Sequence, residues 1–178
     1  MPSKLSPKHD RIRNEARAVV LRLFERGYSK GELSLVTELV ASDFVGYSTE
    51  SSEAYLGPEG IKTHITRLRT AFHGFTIEID DLQVEGDAFE VFWTAHGTHE
   101  RRFMGVKPTC NIGQVGEEPH GNRIAVSGVT TGIVRNGKIH ESEMVWDTKD
   151  LRRQLGESDS RSNHDESEDA PRLRRQSK

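Results

Sequence analysis

The sequence predicts an α+β fold with N-terminal helices packed against one face of a curved antiparallel sheet. Three observations predict it. Apolar residues recur at helical spacing up to Phe72; beyond Gly74 the hydrophobic period drops to two; and neighbouring strands are joined by short turn signals, the strongest being Asn136-Gly137.

Each element has its own signal. In DRIRNEARAVVLRLFERG the residues Ile12, Ala16, Val19, Val20, Leu23 and Phe24 share a helix face, with Asp10 as the expected cap and Gly27 as the expected stop. A shorter helix is expected over Glu32–Val40, burying Leu35, Val36, Leu39 and Val40. An irregular stretch follows, with a short strand at Phe44–Tyr47. GPEGIKTHITRLRTAF predicts a third helix: Pro58 suits its first turn, Glu59 favours its positive end, and Ile61, His64, Ile65, Leu68 and Phe72 face one way. Phe75, Ile77 and Ile79 then alternate with Thr76, Glu78 and Asp80. After the turn Glu85–Asp87 comes a long strand with Phe89, Val91, Trp93, Ala95, Gly97 and His99 on one face. A Gly/Pro-rich loop spans Val106–Gly121, and two strands follow, Arg123–Arg135 and Lys138–Asp147.

Composition bounds the rest. With 178 residues the chain predicts one domain, placed at 10–156, between a flexible leader (1–9) and a charged tail (157–178). That tail holds only Ala170 and Leu173 as apolar residues, too few to offset its ordering entropy. A net charge of −3 offers no electrostatic footprint for nucleic acid or an anionic membrane. A single cysteine, Cys110, excludes an intrachain disulfide, and no signal-like or membrane-spanning run is visible, so a cytoplasmic location is expected. His96 and His99 form H-x-x-H, but a spacing of three sends two strand residues to opposite faces, so no metal site is expected.

LGPEGIKTHITRLRTAF, EGDAFEVFWTAHGTHERRFMGVKPT and NGKIHESEMVWDTKDLRRQLG resemble, in order, the blocks of the SnoaL-like polyketide (ester) cyclases of the nuclear transport factor 2-like superfamily. The resemblance covers roughly residues 10–156. It implies a cone-shaped α+β barrel with the helices on the concave face of the sheet, a ligand pocket inside the cone, and a homodimer made through the sheet. It further implies cofactor-free acid/base chemistry, an intramolecular aldol condensation or related isomerisation of a small polyketide-like or carbonyl substrate. The family's catalytic aspartate matches Asp147, and its pocket histidine matches His99. Three departures stand out: Tyr47 where the family has histidine, His73-Gly74 where it has Pro-Asp, and an insertion between Pro108-Thr109-Cys110 and Pro119-His120-Gly121.

Such chemistry needs a base whose pKa approaches that of the medium, which burial achieves for a carboxylate, and a donor aimed at the enolate oxygen. Asp147 is the expected acid/base with His99 beside it, while Tyr47, Trp93, His64 and Glu143 are expected to contact the substrate. Strand parity opposes this choice. Strict alternation groups Asp147 with Val145 and Glu143 and puts Trp146 and Met144 in the core; a bulge, or a cone lined by acids, would reverse the faces. Two alternatives stay open: a non-catalytic binding module, and a hydrolase using an acid-positioned water with Glu143 and Arg69. His64 also reads as an ordinary core histidine, and Glu143 as a solvated strand residue.

Overall fold

A computed structural model describes residues 7–49, 51, 53–101 and 121–156. The leader before residue 7, the tail from 157 and the loop segment 102–120, Cys110 included, lie outside the described residues. Helix α1 (Pro7–Arg22) runs directly into a π-helical turn, Leu23–Tyr28. Then come α2 (Leu33–Leu39), β1 (Val40–Ser48), β2 (Tyr55–Leu56), α3 (Gly57–Ala71), β3 (Phe72–Glu85), β4 (Ala88–His99), β5 (Arg123–Arg135), β6 (Lys138–Trp146) and α4 (Thr148–Gln154).

The strands form one curved sheet in the order β2-β1-β6-β5-β4-β3. Hairpins join β3 to β4 and β5 to β6; Asn136 (φ 52°) and Gly137 (φ 72°) both take the left-handed conformation that a two-residue turn between twisted strands demands. The sheet is antiparallel-dominated, with one exception among the described pairings. Strands β1 and β6 pair in parallel, as the long chain between them permits and no hairpin forbids.

Alternation decides the faces. Phe89, Val91, Trp93 and Ala95 of β4, and Ile124, Val126, Thr130 and Val134 of β5, are buried on the concave side. Against them pack Ala16, Val19 and Val20 of α1 and Ile61, His64, Ile65 and Leu68 of α3. This is the cone-shaped α+β arrangement, with the helices filling the concavity and the sheet left unclosed.

The N-terminal helix departs from expectation at both ends. It begins at Pro7, so Asp10 lies in its first turn instead of capping it. Nor does Gly27 end it: the chain passes through Gly27 in the π-helical turn, where an added Cβ would lie 3.1 Å from Leu23 Cδ1. The stop falls at Gly31 (φ 73°). Arg69 of α3 secures that ending by donating from Nη1 to the carbonyls of Tyr28 (3.0 Å), Ser29 (2.6 Å) and Phe75 (3.0 Å).

Candidate functional site

The interior of the cone is nearly full. Phe24, Phe44, Phe72, Phe75 and Trp93 are each no more than 1% exposed, and Trp146 meets Trp93 edge-on at 5.0 Å. The remaining cavity beneath α3 is about 20 Å³. That is room for one water molecule. Among the described residues, aromatic rings from separate segments interlock beneath α3, where the resemblance implies a roomier pocket. A much larger concavity, about 980 Å³, lies on the outside of the sheet and is open to solvent.

The small cavity has a polar edge. The Tyr28 hydroxyl lies 3.1 Å from His64 Nδ1, and both residues are almost completely buried. Tyr55 stacks on the His64 ring at 4.6 Å and 25°, setting its plane. Phe24, Phe89, Met144 and Thr130 complete much of the wall. Among the described residues, the buried polar or charged side chains are Ser48, His64, His99 and Thr130; no carboxylate is among them.

Asp147 does not reach this interior. It is exposed, and its Oδ1 accepts the Asp150 backbone N–H at 2.9 Å, capping α4. The buried base expected at this position is thus corrected to a helix cap, and plain alternation explains it. Met144 and Trp146 turn inward, Val145 turns outward, and the chain leaves the sheet immediately afterwards. Asp150 and Gln154 tie the same helix down. Hydrogen bonding to Arg153 holds the Asp150 carboxyl below the usual range against the opposing effect of burial, and the Gln154 amide adds to it. The Gln154 side chain donates to and accepts from the Ala125 backbone at 2.9 and 2.7 Å.

The other expected site residues separate into two groups. His99 is buried (3% exposed) at the end of β4, its ring 5.6 Å from Phe72, away from the His64 cavity lining. Trp93 is fully buried and donates from Nε1 to Thr130 Oγ1 at 2.9 Å, so it serves the interior as a wall. His64 lines the cavity itself. Tyr47 (56% exposed) and Glu143 are cross-strand neighbours exposed on the outer face; Glu143 lies away from the small cavity, whereas Tyr47 also contributes to its lining. Arg69, the cation of the hydrolase reading, is committed to backbone carbonyls. His96 points outward, with Nε2 3.6 Å from Glu78, on the face opposite His99. No group of three metal-ligating side chains occurs among the described residues.

Tyr28 and Tyr55 escaped the sequence reading. Tyr28 lies 36 positions before His64, and nothing in LFERGY announces the π-helical turn that carries it. Histidine on an apolar helix face was the one available signal.

Comparison with known proteins agrees with this architecture. A family model for the SnoaL-like polyketide cyclases matches residues 18–155. Among solved structures, a SnoaL-like protein from Jannaschia sp. CCS1 aligns with TM-score 0.69 at 22% identity, covering 86% of this chain and 96% of that one. IdmH from Streptomyces antibioticus aligns with TM-score 0.64 at 25% identity, covering 79% and 98%. An epoxide hydrolase of the LEH-like type from M. tuberculosis aligns with TM-score 0.59 at 15% identity, covering 80% and 90%. No curated protein matches the sequence. No helix among the described residues is long and apolar enough to cross a membrane.

Proposed function

Because the chain belongs to the SnoaL-like polyketide cyclase family, we propose that it is a cofactor-free acid/base enzyme acting on a small carbonyl-bearing organic molecule in the closed end of the cone. The reaction class is an intramolecular aldol condensation or a related isomerisation. One observation carries this reading: a buried, hydrogen-bonded His64–Tyr28 pair at the edge of the interior cavity, enclosed by aromatic walls. Such walls suit a flat, conjugated substrate, and a low-polarity site strengthens the electrostatics of proton transfer. Since the cavity now holds about 20 Å³, binding requires it to widen. Met144, unbranched and flexible, and Tyr55, on a two-residue edge strand, are the walls best able to yield.

His99 and Trp93 belong to the neighbouring part of the interior and would shape the far end of a longer substrate. Tyr47 and Glu143 fit a different role. They flank the outer-face row Phe92–Val129–Val145, whose members are paired across three strands, and this row would form the core of a homodimer interface. A cytoplasmic location is part of the reading and rests on the sequence alone.

A second reading, a binding module without chemistry, is favoured by the lack of any buried carboxylate among the described residues. Incubation with heptane-2,6-dione, in which a terminal methyl carbon reaches the far carbonyl to close a six-membered ring, and separately with cyclohexene oxide separates the possibilities by mass spectrometry. A product of unchanged mass and altered retention supports ring closure. A diol heavier than the epoxide by one water supports a hydrolase, and saturable binding without product supports the binding module.

A further inference from the structure

We infer that the Thr130 hydroxyl is the oxygen-binding point of the interior cavity, donating to a carbonyl or enolate oxygen of the ligand; this rests on the interior-ligand reading above. Thr130 lines the cavity from β5 and is 3% exposed. Its oxygen accepts the Trp93 Nε1–H at 2.9 Å. A hydroxyl carries one proton besides its lone pairs, and that contact uses a lone pair only. Among the described residues nothing accepts the Thr130 proton. A buried donor without an acceptor is costly, and an oxygen brought by a ligand removes the cost.

The local sequence keeps this hydroxyl clear of its neighbours. On the concave face β5 runs Gly128–Thr130–Gly132, so the positions on either side of Thr130 carry no side chain. Rings from β4 cover both of them: an added Cβ would lie 2.3 Å from the Trp93 ring at Gly128 and 2.6 Å from the Phe89 ring at Gly132. Thr130 therefore stands between two aromatic rings laid against the sheet, and Phe89 is a wall of the same cavity. Ser142 of β6 is the rival donor. It pairs with Gly132 and Gly46, lines the cavity, and has its Oγ 3.4 Å from the place a Cβ on Gly46 would take. Ser142 is only half-buried, however, and a hydroxyl that water reaches gains little from a ligand oxygen. The closed-off Thr130 gains more.

Trp93 makes Thr130 the better donor. Accepting a hydrogen bond polarises a hydroxyl, so its own proton is given more strongly, and the apolar rings around it leave the interaction unscreened. An enolate oxygen carries more negative charge than the ketone oxygen it comes from, so it gains more from such a donor than the ground state does. The ligand class that fits is a flat compound with one oxygen acceptor at its edge: the rings hold its faces and Thr130 fixes its direction. A hydrocarbon of the same outline fills the same space but leaves the Thr130 proton without an acceptor.

Two ligands of one shape isolate this hydrogen bond: 1-indanone and indane, which differ in the carbonyl. Binding of each to the full chain is followed by quenching of tryptophan fluorescence. Thr130→Val removes the hydroxyl and nearly keeps the shape, and Thr130→Ser keeps the hydroxyl. The ratio of ketone to hydrocarbon affinity should fall about two- to tenfold in Thr130→Val, the scale of one neutral hydrogen bond, and hold within about twofold in Thr130→Ser and Ser142→Ala. A general loosening of the interior would weaken both ligands and leave the ratio alone. Should Thr130→Val not fold, the infrared carbonyl stretch of bound 1-indanone decides, measured on the unmodified chain and on Ser142→Ala. A band below its position in hexane in both supports Thr130 as the donor; a band at the hexane position in either overturns it. A ratio unchanged in Thr130→Val, or lost in Ser142→Ala alone, overturns this inference only. Absence of binding by both compounds overturns the interior-ligand reading and this inference with it.

Discussion

Asp147→Ala and Asp147→Asn together separate a cap from a catalyst. The Asp147 side chain satisfies one otherwise orphaned N–H of α4 at 2.9 Å. Truncating such a cap to alanine costs about 1 kcal/mol, within a range of about 0.5–2, whereas asparagine caps nearly as well as aspartate. The helix itself should stay docked in both variants. Leu151 and Leu155 are 3% and 7% exposed, and burying each contributes about 1.5–3 kcal/mol, more than the cap alone. The loss should therefore appear as a shift of the whole unfolding transition. With a urea slope of about 2 kcal/mol per molar, Asp147→Ala should move the midpoint down by about 0.5 M. Asp147→Asn should stay near the unmodified value in both stability and ring-closing turnover. Equal midpoints for the two variants would refute the capping argument. Lost turnover in Asp147→Asn, with the midpoint preserved, would restore the carboxylate to the chemistry and refute the site described above.

Trp93→Phe should destabilise more than Trp146→Phe, by about 1–2 kcal/mol in urea titrations. The first removes a buried hydrogen bond and strips the Thr130 hydroxyl of its donor, while the Trp146 Nε1–H is buried without an acceptor among the described residues. Arg69→Met should cost about 3–5 kcal/mol in urea titrations, because three carbonyls lose a charged donor. The Asp150 carboxyl is held low chiefly by its hydrogen bond to Arg153. Its folded pKa lies below the unfolded one, so its contribution is present above the unfolded value of about 3.9 and fades as pH falls through the folded value. Protection of the α4 amides, taken relative to their intrinsic exchange rates, should fall on acidification below about pH 4, and less so in Asp150→Asn. Gly128→Ala should destabilise by about 1–3 kcal/mol, as its Cβ would lie 2.3 Å from the Trp93 ring; an unchanged midpoint would mean that ring has room to move.

Much of the architecture was present in local pattern. Helical spacing in RAVVLRLF and THITRLRTAF, and alternation in AFEVFWTAH, report which face of each element meets the core, since both follow from side-chain direction along a regular backbone. Asn136-Gly137 located the last hairpin for the same local reason. Alternation even placed Asp147 correctly, outside with Val145, although the family pattern argued for the interior. Purely local rules were the better guide there, because a strand's pleat acts whatever the ancestry.

Non-local packing decided the rest. Whether Phe24, Phe44, Phe75, Phe89, Trp93 and Trp146 leave a chamber or fill it depends on how rings from distant segments interlock, and their spacing along the chain carries no record of that volume. The parallel register of β1 against β6 arises from a pairing across about a hundred residues, beyond the reach of any turn signal. The Tyr28–His64 contact depends on a change of helical pitch in LFERGY and on the landing of α3 above it. Sequence determined the elements and their faces, because each is a property of a few consecutive residues. Tertiary structure alone decided which polar groups share the dry interior, because that requires segments far apart in the chain to exclude water together.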